Sequence, residues 1–512
     1  MSTYTQLLCN RFGGIRERNA SFSEELITAQ DLQNVELYHT GINGGVGIRT
    51  TKGNVSIANI DTSSRIIKIF ESIQKQKRYC LVYSENESSG KLSLFDPEKR
   101  TFSTIKDNLN VAGKANGFDV SQGWSDLFFF TNGKNMFTVE INEENNSTTS
   151  KVVDFAPKDT ENNNVKGIIA AVWNNRLWIA SENVIWYSVM SDIYDFSTHD
   201  SATVTSAGFI NLLKPITAIH EYLGSLAVFF SDSSVLISES NGYFSVAEES
   251  PGGCAGYGSL VFHDTDLFFY DDTKKSVFSF KQVINGEKTL GENVAIEIQS
   301  ILNDINSEKL DEIQAYSVFI KEKNEIWWIL PGNTEYSVIL IYDYLKGAWI
   351  KRKSQKINSI SIINGILYSA GNCGDILEEY TSDLFNGKYI EHFYKCSPCN
   401  LGADNTLKVL AFPPRVTLDM PYLNQFFVKY VKNYNTLKTP KIKFIKSKIK
   451  NFLIWGSGIW GKDYWLDTKV NLISKFPSVT FKTLEITVYT TAERQSFSIK
   501  KIEFSKIKVK QV

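Results

Sequence analysis

Hydrophobic and polar residues alternate in short runs along most of the chain, most clearly between residues 167 and 280. Three successive segments, 168–188, 216–237 and 260–280, each contain a short apolar run, a polar turn, a longer aromatic-rich run, a second polar turn and a third run. Runs of about four to eight β-branched and aromatic residues between clusters of Asn, Asp, Gly and Ser are typical of antiparallel strands joined by hairpins. The pattern therefore predicts a repeated unit of antiparallel strands.

The same unit recurs before and after this segment, at intervals of roughly 42 to 55 residues. This spacing is near the repeat of β-propeller blades, which pack radially around an axis and so protect most of their strand edges. The sequence predicts an all-β protein with a β-propeller of about six or seven blades over residues 60–394. An array of β-sandwiches is the structural alternative that the pattern leaves open.

One segment, 297–314, interrupts the strand pattern with apolar residues at helical spacing. Ile301, Ile305 and Leu310 would lie roughly along one face of a helix, with Ile313 three residues further on. We expect a short helix to be inserted between two blades there.

Residues 1–59 are predicted to form an extended N-terminal arm with one short helix. Thr28 is a candidate helix N-cap, with Asp31 three residues later, ahead of the apolar residues in 32–37. The glycines in 44–47 are not followed by a helix pattern, which disfavours a nucleotide-binding loop. The apolar residues of the arm that need a covered surface are Phe12, Leu26, Ile27, Leu32, Val35 and Leu37. We expect them to contact a neighbouring subunit, and the alternative is that the arm seals a blade edge of its own propeller.

The composition changes towards the C-terminus. A connector is predicted at 395–410, and short strands without a helix signal predict a β-sandwich domain at 411–512. A basic segment of this domain contains Lys438, Lys441, Lys443, Lys446, Lys448 and Lys450. Its partial alternation predicts a strand with one solvated basic face, and the alternative is a strand that contacts DNA in a channel or an acidic neighbouring protein.

Charge and composition narrow the classes of function. The formal net charge of -1 favours neither a nucleic-acid coat nor a membrane-surface protein. No stretch approaches the roughly 20 apolar residues of a transmembrane helix, so we expect no membrane insertion. The first residues lack the pattern of a signal peptide, and the six cysteines do not suggest a disulfide framework. These features indicate folding in a reducing cytoplasm.

Candidate metal ligands are sparse. The five histidines lie far apart in the sequence, and Cys396 and Cys399 would supply only two of the three or four ligands that zinc needs. An ordinary pair of thiols in a connector accounts for them better. The sequence therefore predicts no metal and no cofactor.

The carboxylates and aromatic residues of the repeats also have structural explanations. Four carboxylates occupy predicted turns, where turn chemistry accounts for them better than glycosidase chemistry does: Asp264, Asp266, Asp271 and Asp272. Three tryptophans are more typical of blade core than of a sugar-binding platform: Trp173, Trp178 and Trp186. We expect no catalytic residue and no enzymatic activity.

Several motifs resemble passages in structural tail proteins of tailed bacteriophages. They are the runs 172–180, 184–188 and 191–196, the pairs 215–219 with 228–237 and 252–256 with 266–269, the set 327–331, 340–343 and 348–349, and the Trp-Gly pairs at 455–456 and 460–461. The family resembled is the podovirus tail hub, nozzle or packaged-DNA-stabilisation type of protein, a β-propeller with added β-sandwich elements. The resemblance covers the chain from about residue 12 to its last strands.

The resemblance implies a homo-oligomeric ring, expected to be a hexamer, below the portal of a phage tail. Such a ring would form or seal the DNA exit channel, contact packaged DNA, and offer attachment sites to the portal, adaptor and other tail proteins. The expected location is the virion, after synthesis in the host cytoplasm. The alternative function is a carbohydrate-binding or glycan-cleaving propeller in host adhesion, for which carboxylates should converge on one propeller face.

Overall fold

The structure is a computed structural model, and its elements are almost all strands. It describes residues 5–9, 11–16, 26–40, 45–144, 147–199, 205–263, 265–281, 296–303, 305, 316–331, 336–371, 373–398, 407–410, 415–418, 425–433, 441–446, 471–473, 480–493 and 495–510. The chain divides into two compact units. We call Asn54–Ile339 with Ser354–Thr381 the propeller unit, and Met1–Gly53 with Leu340–Lys353 and Ser382–Val512 the sheet unit.

Six strands precede the first blade. They are β1 (Thr5–Cys9), β2 (Arg11–Ile15), β3 (Leu26–Gln33), β4 (Val35–His39), β5 (Val46–Thr50) and β6 (Gly53–Asn59).

Seven antiparallel sheets follow one another along the chain as the blades of a β-propeller. Blade 1 contains β7 (Arg65–Gln74), β8 (Lys77–Glu85), β9 (Gly90–Asp96) and β10 (Thr101–Leu109). Blade 2 contains β11 (Asn116–Gln122), β12 (Ser125–Thr131), β13 (Met136–Glu144) and β14 (Ser147–Asp154). Blade 3 contains β15 (Ile169–Trp173), β16 (Arg176–Ser181), β17 (Val184–Tyr187) and β18 (Gly208–Asn211).

The remaining blades follow the same order. Blade 4 contains β19 (Ala218–Tyr222), β20 (Ser225–Phe229), β21 (Ser233–Ser240) and β22 (Tyr243–Val246), and β23 (Ser250–Pro251) pairs with β21. Blade 5 contains β24 (Val261–His263), β25 (Asp266–Asp271) and β26 (Ser276–Ser279). Blade 6 contains β27 (Tyr316–Ile320), β28 (Glu325–Leu330), β29 (Tyr336–Asp343) and β30 (Ala348–Gln355). Blade 7 contains β31 (Ile357–Ile363), β32 (Ile366–Gly371) and β33 (Asp375–Ser382), with β6 beside β33.

Helical structure is confined to short pieces of the described chain. There are 3₁₀ turns at Tyr257–Ser259 and Ile296–Ile298, and α1 (Gln299–Asn303) follows the second of them. This helix lies inside the segment 297–314 predicted to be a helical insertion between blades. Ile301 and Ile305 of the predicted apolar face are described, whereas Leu310 and Ile313 lie outside the described residues.

Apolar side chains between adjacent blades form the core of the propeller unit. Blades 1 and 2 share a cluster that contains Leu81 and Phe128, and blades 3 and 4 share one that contains Trp178 and Val228. Further clusters join blades 2 and 3, blades 4 and 5, and blades 7 and 1. Blades 1 to 5 and blade 7 therefore depend on their neighbours for burial of their apolar faces.

The ring closes through β6, which comes before blade 1 in the chain and completes blade 7. The Asp375 carboxylate accepts hydrogen bonds from Asn59 Nδ2 at 2.9 Å and Ser56 Oγ at 3.0 Å, and Asn54 Nδ2 donates to Glu379 Oε1 at 2.8 Å. The turn beside this contact needs glycine at 374, where φ is +74° and a Cβ atom would lie 2.3 Å from a backbone oxygen. The two ends of the propeller sequence are thus held in one sheet.

The sheet unit contains fourteen described strands in one curled sheet. Its C-terminal strands are β34 (Phe393–Cys396), β35 (Leu407–Leu410), β36 (Arg415–Leu418), β37 (Gln425–Lys432), β38 (Lys441–Lys446), β39 (Asn471–Ile473), β40 (Thr480–Phe481), β41 (Leu484–Tyr489) and β42 (Ser498–Lys510). They share the sheet with β1 to β5, and β3 lies between β2 and β34. The strands predicted for a separate C-terminal β-sandwich therefore pair with the N-terminal segment, and β34 and β35 contribute strand residues to the predicted connector 395–410.

The short helix predicted near Thr28 is wrong, because the structure has β3 and β4 there. Asn34 separates the two strands with a φ of 55°, which a helix does not accommodate. Its backbone N–H donates to Lys351 O at 2.9 Å, and its side-chain Oδ1 accepts from Lys353 N at 2.9 Å. Pairing of β3 with β2 and β34 outweighs the local helix signal, since these contacts are distant in sequence.

Replacing Asp375 tests the closure of the ring. Asp375→Ala removes the acceptor shared by Ser56 and Asn59, so the free energy of unfolding should fall by about 1–2 kcal/mol in a chemical denaturation experiment. Asp107→Ala, at an exposed position on β10, is the matched control and should change it by less than about 0.5 kcal/mol. Equal stability of the two variants would show that these hydrogen bonds do not stabilise the closure.

Candidate functional site

The first strand of each blade lies nearest the propeller axis, because these strands contact one another around the ring. Neighbouring first strands run in the same direction. Asn358, near the start of β31, donates from Nδ2 to Ile66 O near the start of β7 at 3.1 Å, whereas Asn364, just after β31, donates its N–H to Glu71 Oε1 further along β7 at 3.0 Å. The hairpins between first and second strands therefore share one end of the propeller, the hairpin end. The links from one blade to the next share the opposite end, the link end.

A lysine lies among aromatic rings at the axis. The Lys68 ammonium, on β7, is 5.6 Å from the ring centroid of Phe70, 5.2 Å from that of Tyr257 and 5.1 Å from that of Tyr316. These four residues, the axial cluster, come from blade 1, the turn before blade 5, and blade 6. Aromatic ring faces attract an ammonium group, so the cluster provides partial compensation for the water that Lys68 has lost.

Tyr257 reaches across the axis at the link end. Its hydroxyl donates to Ala115 O, just before blade 2, at 2.9 Å, while its ring lies beside Lys68 of blade 1. The 3₁₀ turn that carries Tyr257 also contacts β19 and β27. One side chain thereby links elements from different sides of the ring.

Burial controls the charge of the axial cluster. It lowers the pKa of Lys68 to about 8. It also raises the pKa of Tyr316 above its ordinary value, with Arg65 opposing that rise. Glu85, the buried carboxylate that β8 carries nearby, accepts hydrogen bonds from Tyr83 Oη at 2.6 Å and Ala112 N at 2.8 Å. This carboxylate is therefore engaged by the link between blades 1 and 2.

Exposed apolar side chains surround the axis at the hairpin end. Six of the seven blades contribute one, at the end of the first strand, in the hairpin turn, or at the start of the second strand: Ile73, Trp124, Val172, Leu223, Phe262 and Ile366. We call this set the apolar rim. Trp124 is fully exposed, and blade 6 places Lys321, Glu322 and Lys323 at the equivalent turn. Burial of such side chains against a partner is favourable.

Two histidine rings stack on aromatic rings near the apolar rim. His220 stacks on Phe262, with centroids 5.7 Å apart, and His263 stacks on Phe319 at 3.8 Å. Burial lowers the pKa of His220, which favours the neutral imidazole. These contacts join blades 4, 5 and 6 through ring packing.

The carboxylates considered for glycosidase chemistry have structural partners. Asp271 Oδ2 accepts from Gly253 N at 3.1 Å and its Oδ1 accepts from Lys274 N at 3.0 Å, while Asp266 Oδ1 accepts from Lys281 N at 2.8 Å. Asp272 accepts from Lys275 Nζ and Tyr270 Oη. Asp264 lies outside the described residues. In the described set, these bonds fix turns and strand ends of blade 5.

The tryptophans of blade 3 serve packing. Trp173 and Trp178 are buried in the cluster between blades 3 and 4, with ring centroids 5.2 Å apart. Trp186 packs against the cluster between blades 2 and 3 and donates from Nε1 to Asp159 Oδ2 at 3.2 Å. The interpretation as blade core agrees with these contacts.

The basic segment is a strand where it is described. Lys441, Lys443 and Lys446 belong to β38, which lies at one end of the sheet order and pairs with β37. Ile442 and Phe444 of the same strand are exposed. Lys438, Lys448 and Lys450 lie outside the described residues. The role of this segment in contact with DNA or a partner stays a prediction.

The residues predicted for inter-subunit contact belong to the sheet unit of their own chain. Five of them are buried there: Phe12, Ile27, Leu32, Val35 and Leu37. Phe12 packs edge-on against Tyr394 with centroids 5.6 Å apart, and Tyr394 Oη donates to Ile27 O at 2.8 Å. Leu26 begins β3. The single chain thus covers these side chains with its own C-terminal strands, and contact with a neighbouring subunit stays a prediction.

The described residues contain no candidate metal site and no membrane-spanning helix. No group of three or more His, Cys, Asp or Glu side chains within them could hold a metal ion. Cys396 is buried at the end of β34, and Cys399 lies outside the described residues. Within the same residues, no helix has the length and apolar character needed to span a membrane.

Sequence reasoning missed the axial cluster and the apolar rim. The only local signal for Lys68 was one charged residue inside the apolar run from Ile66 to Phe70. Tyr257 and Tyr316 are far from it in sequence, so their approach depends on ring closure. Consecutive rim residues lie 39 to 104 residues apart in the sequence and have no common motif.

Comparisons with known proteins give no family for this chain. No family model and no curated protein matches it. Among the solved structures that match the chain is a crystal structure of the computationally designed Ika8 protein, with 10% sequence identity and a TM-score of 0.35. That match covers 64% of this chain and 99% of the designed chain. The similarity is too low to inform the fold or the function.

Substitution of Leu32 tests whether the N-terminal strands belong to their own sheet unit. Leu32→Ala leaves a cavity in a fully buried position, so the free energy of unfolding of the sheet unit should fall by about 2–5 kcal/mol. Gln30→Ala, at an exposed position on the same strand, should change it by less than about 0.5 kcal/mol. Hydrogen exchange of β37 and β41 amides would report the effect. Unchanged exchange in Leu32→Ala would show that β3 does not stabilise this sheet.

Removal of the axial charge should change the pH dependence of stability. The unfolded chain keeps a lysine pKa near 10.5, so between about pH 8 and 10.5 it binds more protons than the folded chain, and the contribution of Lys68 to stability rises with pH. Lys68→Met lacks this contribution. Thermal melts should show the variant most stable relative to wild type below pH 8, with the difference shrinking towards pH 10.5. Lys166→Met, at an exposed position, should follow the wild type, and a difference independent of pH for Lys68→Met would contradict the assignment.

Proposed function

We propose that this chain is a non-enzymatic structural protein of a bacteriophage tail, a subunit of an oligomeric ring below the portal. In this function it helps to form or seal the DNA exit channel and offers attachment sites to other tail proteins. The motifs of residues 172–196 and 327–349, which resemble podovirus tail hub and nozzle proteins, support the proposal from the sequence. Its location is the virion, and its partners are further copies of itself, expected as a hexamer, with portal and adaptor proteins.

The apolar rim is the observation that carries this proposal. Exposed Trp, Leu, Ile, Val and Phe side chains from six blades surround one end of the propeller axis, and exposed apolar groups concentrated at one place mark contact surfaces. Trp124 has the size and exposure of an interface anchor. A protein that works through attachment needs such a surface, whereas an enzyme needs converging reactive groups.

The propeller axis limits where DNA would pass. Tyr257 bridges from the turn before blade 5 to Ala115 near blade 2, and its ring lies beside Lys68. A DNA duplex does not fit through an axis that one side chain crosses. The proposed exit channel therefore lies between subunits of the ring, where the basic strand β38 is a candidate lining element.

The carbohydrate alternative has less support from the described residues. Glycan cleavage uses two carboxyl groups about 5 to 10 Å apart on either side of the bond. Asp266 and Asp271 instead accept backbone N–H groups of blade 5 and its flanking turns. The carboxylate oxygens of Asp266 and Asp271 therefore stabilise turns and strand ends of blade 5.

Assembly of the purified chain tests the proposal. Sedimentation velocity and negative-stain images at micromolar concentration should show ring-shaped oligomers with a central opening. Binding of the chain to a glycan array without any oligomer would favour the carbohydrate alternative and contradict the ring.

Substitutions in the apolar rim test whether this surface attaches the chain to its partners. Trp124→Asp combined with Leu223→Asp places two charges in the apolar rim, so attachment of this end to partner tail proteins, measured by incorporation into tail particles, should fall at least about tenfold. Leu213→Asp is the matched control, because Leu213 is 99% exposed in the link between blades 3 and 4 at the opposite end. It should be incorporated like the wild type. Equal incorporation of the rim variant would remove the rim from the proposal.

A further inference from the structure

Opposite charges are concentrated in two separate regions of the sequence. Residues 411–512 contain nineteen Lys and Arg against six Asp and Glu, a net charge of +13. Residues 167–314, which include blades 3 to 5, contain twenty Asp and Glu against seven Lys and Arg, a net charge of -13. Within this acidic region, residues 215–273 contain nine Asp and Glu and no Lys or Arg. One copy of the chain therefore offers both sides of an electrostatic contact to further copies.

The acidic region has an exposed strand at the outer edge of blade 4. β22 is the last strand in the order β19-β20-β21-β22, so it lies furthest from the propeller axis, and among the described strands it pairs only with β21. Tyr243 on this strand is 77% exposed, and Val246 is exposed as well. Exposed aromatic and aliphatic side chains on an outermost strand mark a contact surface.

Carboxylates surround this strand. Glu239, before β22, and Glu248, after it, are both exposed. Lys214, from the link before blade 4, contacts both Asp232 and Glu249, so two carboxylates share one cation. The surface around β22 therefore keeps an excess of negative charge beside its apolar side chains.

The strand β38 has the complementary properties. It lies at one end of the strand order of the sheet unit, and among the described strands it pairs only with β37. Ile442 is 54% exposed, and Phe444 is exposed too. The sequence of the strand places Lys441, Lys443 and Lys446 beside them. β38 thus combines exposed apolar side chains with a run of cations.

We propose that β38 of one copy docks against β22 of blade 4 in the next copy, so that the ring proposed above, on which this inference rests, assembles head to tail. The exposed apolar side chains of the two strands meet, and lysines of one copy face carboxylates of the other. The two surfaces differ, so the contact is heterologous, and a heterologous contact that repeats around an axis closes into a ring. The opposite charges accelerate encounter and determine which surfaces meet.

A second copy matches β38 better than DNA does. DNA phosphates would pair with the lysines, but the phosphate backbone offers no apolar surface to Ile442 and Phe444. The edge of blade 4 offers carboxylates together with Tyr243 and Val246. The chain itself therefore contains a surface that matches both properties of the strand.

Charge reversal on either side of the contact tests the proposal in the full chain. The basic-strand variant combines Lys443→Glu with Lys446→Glu, and the acidic-edge variant combines Tyr243→Lys with Glu248→Lys. Each variant alone should self-associate at least about tenfold more weakly than the wild type in sedimentation equilibrium. An equal mixture of the two should associate again, because the unchanged β38 of one variant meets the unchanged β22 of the other.

A control variant and a salt series complete the experiment. Lys151→Glu combined with Lys166→Glu makes the same change of net charge at exposed positions in and after blade 2, and it should assemble like the wild type. Wild-type association should weaken at least about tenfold between about 0.05 and 0.5 M NaCl, because salt screens exposed charges. This series needs no variant, so association that is independent of salt would contradict the proposal even if a variant did not fold.

The outcomes separate this contact from the ring itself. Assembly of both charge-reversal variants like the wild type would overturn the head-to-tail contact and leave the ring in place, whereas a wild type that stays monomeric would contradict both. No association in the mixture, with both variants at the wild-type melting temperature, would show that the two surfaces are not partners. If the basic-strand variant loses binding to duplex DNA but keeps its self-association, DNA is the partner of β38 and the proposal is wrong.

Discussion

Seven blades of antiparallel strands bury their edges only when the ring closes, and this closure depends on β6. The strand comes before blade 1 in the chain yet completes blade 7, so both ends of the propeller sequence enter one sheet. The Asp375 carboxylate accepts hydrogen bonds from Ser56 and Asn59. The glycine at 374 allows the backbone of its turn to approach the backbone of Asp61 closely. Each interblade cluster consists of side chains from two adjacent blades. An open ring would therefore expose the apolar faces of the two blades on either side of the gap.

Closure of the ring also brings Lys68 and the aromatic rings of the axial cluster together. Lys68, Tyr257 and Tyr316 meet because blades 1, 5 and 6 face one another across a narrow centre. The desolvation that lowers the pKa of Lys68 is a consequence of this approach. The same arrangement brings the hairpins of all blades to one end, which gathers single exposed apolar residues into the apolar rim. Packing constraints thus account for both the axial cluster and the apolar rim.

The sheet unit follows a different principle. Its strands come from the two ends of the chain, and β3 lies between β2 and β34. Tyr394 fixes this arrangement with hydrogen bonds to Gly13 O and Ile27 O at 2.9 and 2.8 Å. The described strands of both terminal segments belong to one sheet, in which each segment supplies backbone partners to the other.

The sequence by itself determined the strands and their repetition. Short apolar runs such as 326–330 and turns such as Asn174-Asn175 are local signals, and the spacing of the units predicted a propeller. Local patterns could not determine pairing partners. The apolar residues around Leu32 match a helix as well as a strand, and only their hydrogen bonds to distant strands decided between the two. The axial cluster and the apolar rim were likewise decided by tertiary structure, because their residues are far apart in sequence and are brought together only when the ring closes.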